Sequence, residues 1–422
     1  MTRIHSPAAE KAFTAVFADS ARREAEAADR RAAMGATRGP LDGRLVSVKA
    51  LFDVAGTVTS AGSAVLRRLP PAAEDAEVVE RLRAGGAVVV GKTQMTEFAF
   101  SALGTNPHDG RPGNPRDRRR TPGGSSSGAV VSVTDEMAEI AIGSDTGGSV
   151  RIPAALSGAV GFKPTSGRVP TAGAFSLSSS LDTIGPIALN VADCAAADTV
   201  LSGERTSSRL WPASVGTFHL TIARGRLFER CEPEVTDAFL GAIDRLRSRG
   251  VQIADGSIDQ ALDDIARIDR IGTFPSIEVG ETLRNLGLAS LDGIDPKTRL
   301  RIEAGHGILA VDYVRMQRLR HAAIKSFEDS FAENEVFVLP TTPIRAPLAS
   351  AIEEDAAFHA FNGLILRNPR IANMLDCPSI SLPLPLDGHP AGLMLVGRRN
   401  VDRRLLEVAS SIEAMLWPNE NA

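Results

Sequence analysis

Residues 121–170 read TPGGSSSGAVVSVTDEMAEIAIGSDTGGSVRIPAALSGAVGFKPTSGRVP. Two GGS elements, ending at Ser125 and Ser149, lie 24 residues apart, separated by a short helix-like run and the mostly apolar run 138–142. Most serines in Gly/Ser-rich loops only serve turns. A flexible linker, however, would not alternate with core-forming segments, so both loops are expected to be held rigidly at one edge of a sheet. The G-x-S-x-G match centred on Ser126 is a decoy. A nucleophile elbow needs a buried strand before it, and here RDRRRTPG (116–123) precedes. A P-loop fails as well, because no Gly-Lys-Ser/Thr follows the glycines.

Outward from this segment the pattern is α/β. Leu45–Lys49 reads as a short buried strand between Gly43 and Gly56, Glu74–Ala84 as a helix stopped by Gly85-Gly86, and Ala87–Val90 as a second strand. Strand, helix and strand in that order predict a sheet with some parallel pairing. Residues 6–34, rich in Ala and Glu, predict one or two helices, so 1–40 is expected to be an N-terminal helical segment. Amphipathic patterns at Glu234–Arg249 and Val311–Phe327 make 200–335 a mainly helical layer within a single domain spanning 41–420. VFVLP at 336–340 predicts a strand, and two apolar runs joined at Asp387-Gly388 predict a hairpin before a last helix, Arg403–Leu416.

Composition excludes several function classes. A net charge of −4 gives no footprint for nucleic acid or an anionic membrane, and the run at Arg116, Arg118, Arg119 and Arg120 reads as a solvated loop. No apolar stretch reaches 18 residues. Three scattered cysteines give neither a disulfide framework nor a zinc-ligand spacing. A soluble cytoplasmic protein is expected.

GGSSSG, GSDTGGSVRIPAALSG and GFKPTSGRVP together resemble the signature of the amidase-signature family. LDGRLVSVKALFDVAG (41–56) is similar to that family's lysine segment, and residues 91–122, 178–195, 338–347 and 378–398 follow in matching order. The resemblance covers about residue 40 to 415 and is weakest through 200–330. It implies an α/β fold with a large twisted mixed central sheet covered by helices on both faces. It further implies a Ser–cis-Ser–Lys triad: Ser149 as nucleophile, Ser125 after a cis peptide bond, and Lys49 as base. Backbone N–H groups of Thr146, Gly147, Gly148 and Ser149 would form the oxyanion hole. No metal or organic cofactor is implied, and a homodimer is one assembly the family uses.

The residue types suit that chemistry. A serine hydroxyl needs a base before it attacks. A lysine serves only when neutral, and holding it so near pH 7 takes about 4 kcal/mol of destabilised ammonium, usually by burial. Val46, Val48, Leu51 and Phe52 would supply that burial. The glycines before Ser149 let consecutive N–H groups face one point. The run after Ser149 predicts a short helix whose positive end would lie near developing negative charge. Asp145 and Arg151 are expected to brace the loop. Ala99, Thr121 and Ser126 are candidate substrate contacts, and Arg370 a candidate for binding a substrate carboxylate. Ala50 stands where the family commonly has Asp, so Asp53 is the candidate to supply charge beside Lys49.

The expected reaction is hydrolysis of a small-molecule carboxamide through an acyl-Ser149 intermediate, releasing ammonia or an amine and an acid. Two alternatives stay open: the A subunit of a glutamyl-tRNA amidotransferase, and a hydrolase of ureido, carboxybiuret-type substrates, which TEFAFSALGTNPH (96–108) resembles.

Overall fold

The computed structural model describes residues 2–6, 10–204, 209–288, 290–384, 386 and 388–417. Eleven strands form one continuous sheet: β1 (Phe13–Val16), β2 (Leu45–Lys49), β3 (Val88–Thr93), β4 (Ile140–Asp145), β5 (Val160–Lys163), β6 (Thr183–Ala188), β7 (His219–Arg224), β8 (Gln252–Ser257), β9 (Glu335–Pro340), β10 (Ser379–Leu384) and β11 (Ala391–Val396). Their spatial order is β1-β3-β2-β4-β6-β5-β10-β11-β9-β7-β8. β3, β2 and β4 run parallel, as do β9, β7 and β8, whereas β4 through β11 pair antiparallel.

Thirteen helices are described: α1 (Ala18–Ala33), α2 (Glu77–Ala84), α3 (Ser127–Thr134), α4 (Arg151–Ser157), α5 (Val191–Ser202), α6 (Pro233–Ser248), α7 (Asp259–Asp269), α8 (Phe274–Asn285), α9 (Pro296–Glu303), α10 (Ala310–Ser330), α11 (Asp355–Leu366), α12 (Arg370–Met374) and α13 (Asp402–Leu416). They cover both faces, and strand periodicity shows how. Ile140 and Ile142 join the core built with α2, α5, α6 and α13, while Ala141 between them faces the cluster holding α3. Strands covered on both sides become continuous apolar runs, as in VVV of β3 and the fully buried β11. Each such Val or Ile side chain contributes about 1.5–3 kcal/mol by leaving water.

Two expectations are corrected. The N-terminal segment is not wholly helical: Phe13–Val16 is an edge strand pairing antiparallel with β3 before α1 begins. Within 200–335, β7 and β8 extend the sheet, so this stretch adds to the core as well as to a helical layer. Residues 160–163, within the Gly/Ser-rich region, and 183–188, just beyond it, form the further strands β5 and β6. β10 and β11 pair as a hairpin from Ser379↔Val396 to Leu384↔Ala391; the turn residue Asp387 lies outside the described residues.

Candidate active site

Three segments converge at one end of the parallel strands. β2 delivers Lys49 as its last residue. The loop before α3 carries Ser125, and the peptide bond between Gly124 and Ser125 is cis. The turn after β4 carries Thr146 to Ser149 and runs directly into α4. Because β2 pairs parallel with β4, with Val48 opposite Ile142, the lysine and the Ser149 turn leave the sheet side by side.

Lys49 is fully buried and Ser149 nearly so. Lys49 Nζ donates to Ser125 Oγ at 2.7 Å and to Ser144 Oγ at 2.9 Å. No carboxylate contacts it among the described residues, and burial lowers its pKa from 10.5 to about 7, against the opposing pull of Asp145 and Asp182. Asp53 is not the local charge expected from the sequence. Its carboxylate accepts from Thr59, and its field acts on another buried lysine, Lys92. The serine loops touch through the Ser126 N–H, which donates to the Ser149 carbonyl at 3.3 Å. No hydrogen bond joins the Ser125 and Ser149 hydroxyls among the described residues.

The turn is braced by a buried ion pair. Arg151 donates to Asp145 through Nε (3.0 Å) and Nη2 (2.8 Å), and further to the Pro369 carbonyl and Asn373 Oδ1. Burial pushes the Asp145 carboxyl up, yet the charges of Arg151 and Lys163 and the bonds from Arg151 and Asn373 outweigh it and hold the group well below the usual range. Asp145 also accepts from the N–H of Gly148 at 2.8 Å. Gly148 therefore departs from its expected place in an oxyanion hole, since its donor is already engaged. The N–H groups of Gly147 and Ser149 have no protein acceptor among the described residues, and both residues line the cavity described below. Gly148 is required for another reason: its φ is +124°, and a Cβ there would sit 2.6 Å from Pro369 and 2.7 Å from Ile152.

A family model described as Amidase matches residues 2–406. The chain belongs to the amidase family. Members of that family hydrolyse amide C–N bonds, and this chain is an amide-hydrolysing enzyme of that kind. It is 36% identical over 444 residues to the A subunit of the glutamyl-tRNA(Gln) amidotransferase of Anaeromyxobacter dehalogenans (strain 2CP-C), covering 96% of this chain and 89% of that one. It is 34% identical over 409 residues to the 2-amino-5-chloromuconic acid deaminase of Comamonas testosteroni, covering 94% and 86%. A solved amidase crystal structure superposes with a TM-score of 0.87 at 30% identity, over 99% of this chain and 94% of that one.

In this amidase a cavity of about 420 Å³ opens over Ser149. Leu177, Leu181, Ile265, Ile268, Phe274 and Met374 supply apolar wall, and Ala99 also lines it, in a left-handed conformation with φ of 59°. Thr121 and Ser126 do not line it. Both are fully buried: Thr121 Oγ1 has no partner, and Ser126 Oγ approaches the Ser144 carbonyl at 3.5 Å. Arg370 lines the cavity but is held by both oxygens of Asp269, at 2.9 and 2.7 Å. Arg367 donates to the carbonyls of Leu227 and Glu229.

Arg301, on α9, is different. It lies over the Phe100 ring at 4.1 Å, donates to the Phe100 carbonyl, and has no carboxylate partner among the described residues. Burial lowers its pKa to about 10, which leaves it cationic at neutral pH. Sequence reasoning missed Arg301, as it missed Ser144, Asp182 and Asn373. Ser144 lies within the GSDTGGS stretch and Asp182 within 178–195, but sequence does not show what either touches; Asn373 lies outside those stretches, and Arg301 lies where the resemblance is weakest.

Proposed function

We propose that this amidase cleaves a carboxamide through an acyl-enzyme on Ser149. Neutral Lys49 draws a proton from Ser125, which takes the proton of Ser149 as that oxygen attacks the carbonyl carbon. The N–H groups of Gly147 and Ser149, with Thr146 beside them, hold the oxyanion. Ser125 then returns a proton to the departing nitrogen, and water entering by the same relay releases the acid. Catalytic hydrogen bonds commonly tighten only when substrate binds, which accounts for the open step between Ser125 and Ser149. No metal or organic cofactor is needed.

One observation carries this reading: a fully buried lysine whose only hydrogen-bond partners among the described residues are two hydroxyls, one of them Ser125. The test is labelling by a fluorophosphonate together with ammonia release from simple amides. Ser149→Ala should abolish both; turnover retained in that variant would overturn the assignment.

The cavity supports an acyl group with an apolar body and an anionic end directed at Arg301, since Arg370 is already neutralised by Asp269. Residues 200–335 would then serve as a substrate-side layer, because Leu262, Ile265, Asp269, Phe274 and Arg301 all reach the cavity from it. A second reading, favoured by the 36% identity to the A subunit of an amidotransferase, is that the chain releases ammonia from glutamine for a partner. The isolated chain separates the two: hydrolysis of acidic amides without partners supports the first reading, and glutamine-restricted activity that requires partners supports the second.

A further inference from the structure

The loop 176–182 takes no part in the mechanism just described, yet it joins two parts of the site. Asp182 Oδ1 accepts the Thr146 hydroxyl at 2.5 Å, while Oδ2 accepts the Ser176 hydroxyl at 2.9 Å and the Ser178 N–H at 3.0 Å. Thr146 opens the turn that bears Gly147 and Ser149. Leu177, between Ser176 and Ser178, and Leu181, beside Asp182, line the cavity. One carboxylate therefore ties the cavity wall to the turn. The loop is anchored at both ends. Glu278 of α8 accepts from the Ser178, Ser180 and Tyr313 hydroxyls and from the Ser180 N–H, and Thr183 Oγ1 donates to the Asp145 carbonyl at 2.9 Å. Asp182 sits beside the lysine's end of the sheet: the next residue, Thr183, pairs with Asp145 across β6 and β4, one step from Ser144, whose hydroxyl accepts from Lys49. Glu278 faces Asp182 from α8, and Asp145 from β4 acts with Asp182 on Lys49. Burial, then Glu278, raises the Asp182 carboxyl to about 6 although three donors oppose the rise.

We propose that Asp182 is a positioning residue: it holds the Thr146–Ser149 turn against the cavity wall and places a second negative charge toward Lys49. This rests on the Ser149 reading above. The two roles have different readouts. The hydroxyl contact fixes geometry, so its loss lowers turnover. The charge stabilises the Lys49 ammonium, so its loss lets Lys49 deprotonate at lower pH.

The experiment is amide hydrolysis from pH 5 to 9 by wild type, Thr146→Val, Thr146→Ser and Asp182→Asn, each checked for fluorophosphonate labelling at Ser149. Thr146→Val should lower the plateau kcat about tenfold, and Thr146→Ser should restore it. Asp182→Asn should move the acid limb of the pH profile to lower pH. A limb that stays in place in Asp182→Asn overturns the electrostatic role. Equal activity in Thr146→Ser and Thr146→Val overturns the positioning role, and does so even if Asp182→Asn fails to fold. Absence of labelling in the wild type would overturn the Ser149 reading instead, and this inference with it.

Discussion

The ends of β2 and β5 each carry a fully buried lysine, and the two differ in what surrounds the amine. Lys49 donates to the hydroxyls of Ser125 and Ser144; Lys163 donates to the carbonyl of its neighbour Pro164 at 2.7 Å. Burial brings the first to about 7 and the second, with help from the Arg151 charge, to about 8. A low pKa is therefore not what makes a base. Lys163 has a carbonyl, which cannot give up a proton, whereas Lys49 has a hydroxyl that can relay one. Shifted titration follows from burial in a large core, and the base role proposed for Lys49 rests on its neighbour.

The sharpest way to break this comparison is to remove each amine in turn. Lys49→Met should reduce turnover by about three orders of magnitude or more, since base and relay both fail. Wild-type kcat/KM should rise through pH 7, because the free enzyme must lose the Lys49 proton before it can act. A flat profile from pH 6 to 9 would remove Lys49 from the mechanism. Lys49→Met should also be the more stable protein. Holding a neutral amine near 7 instead of 10.5 costs about 5 kcal/mol, and the two hydroxyls left without a donor give back about 1 kcal/mol each.

Asp145 connects the two lysines, because its charge acts on both. Asp145→Asn leaves the Arg151 guanidinium buried without a counter-charge, and a loss of about 3–5 kcal/mol in urea unfolding is expected. A loss below about 1 kcal/mol would show that the Pro369 carbonyl and Asn373 suffice to hold Arg151.

Arg301 extends the comparison to a cation that also lacks a carboxylate but lines the cavity. Arg301→Met should raise KM about a hundredfold for an amide bearing a distal carboxylate and leave a neutral amide of the same size within threefold. Equal effects on both substrates would return Arg301 to a packing role against Phe100.

These sites differed in how far they could be read from the chain alone. Ser125, Ser149 and Lys49 stand in local motifs with apolar flanks, so both the strands and the loops beside them were legible. β1 was not, because FTAV is a four-residue edge strand beside Ala- and Glu-rich sequence whose helical propensity dominates the window. β8 was not, because its residues are largely exposed and carry no apolar alternation. The engaged N–H of Gly148 depends on where the Asp145 carboxylate sits, and spacing carries no information on that. Arg301 lies 152 residues beyond Ser149 in sequence, and only the packing of α9 against the Phe100 segment brings it to the cavity.

Lys163→Met should give the smallest effect and the cleanest control. Among the described residues its amine bonds to no hydroxyl, and Lys163 does not line the cavity over Ser149, so turnover should stay within about threefold of wild type. Stability carries the finer information. The native Lys163 binds fewer protons than the unfolded chain between pH 8 and 10.5, so the wild type gains stability as pH rises through that window. The penalty is present in full below about pH 8, where Lys163→Met should be ahead of wild type in urea unfolding. The margin is reduced by the Pro164 carbonyl losing its donor, about 1 kcal/mol. It should narrow as the pH approaches 10. A margin that does not change with pH would mean that Lys163 is not held in the state its burial implies. A hundredfold loss of turnover would mean that the β5 amine, too, reaches the chemistry, and the distinction between the two lysines would fall.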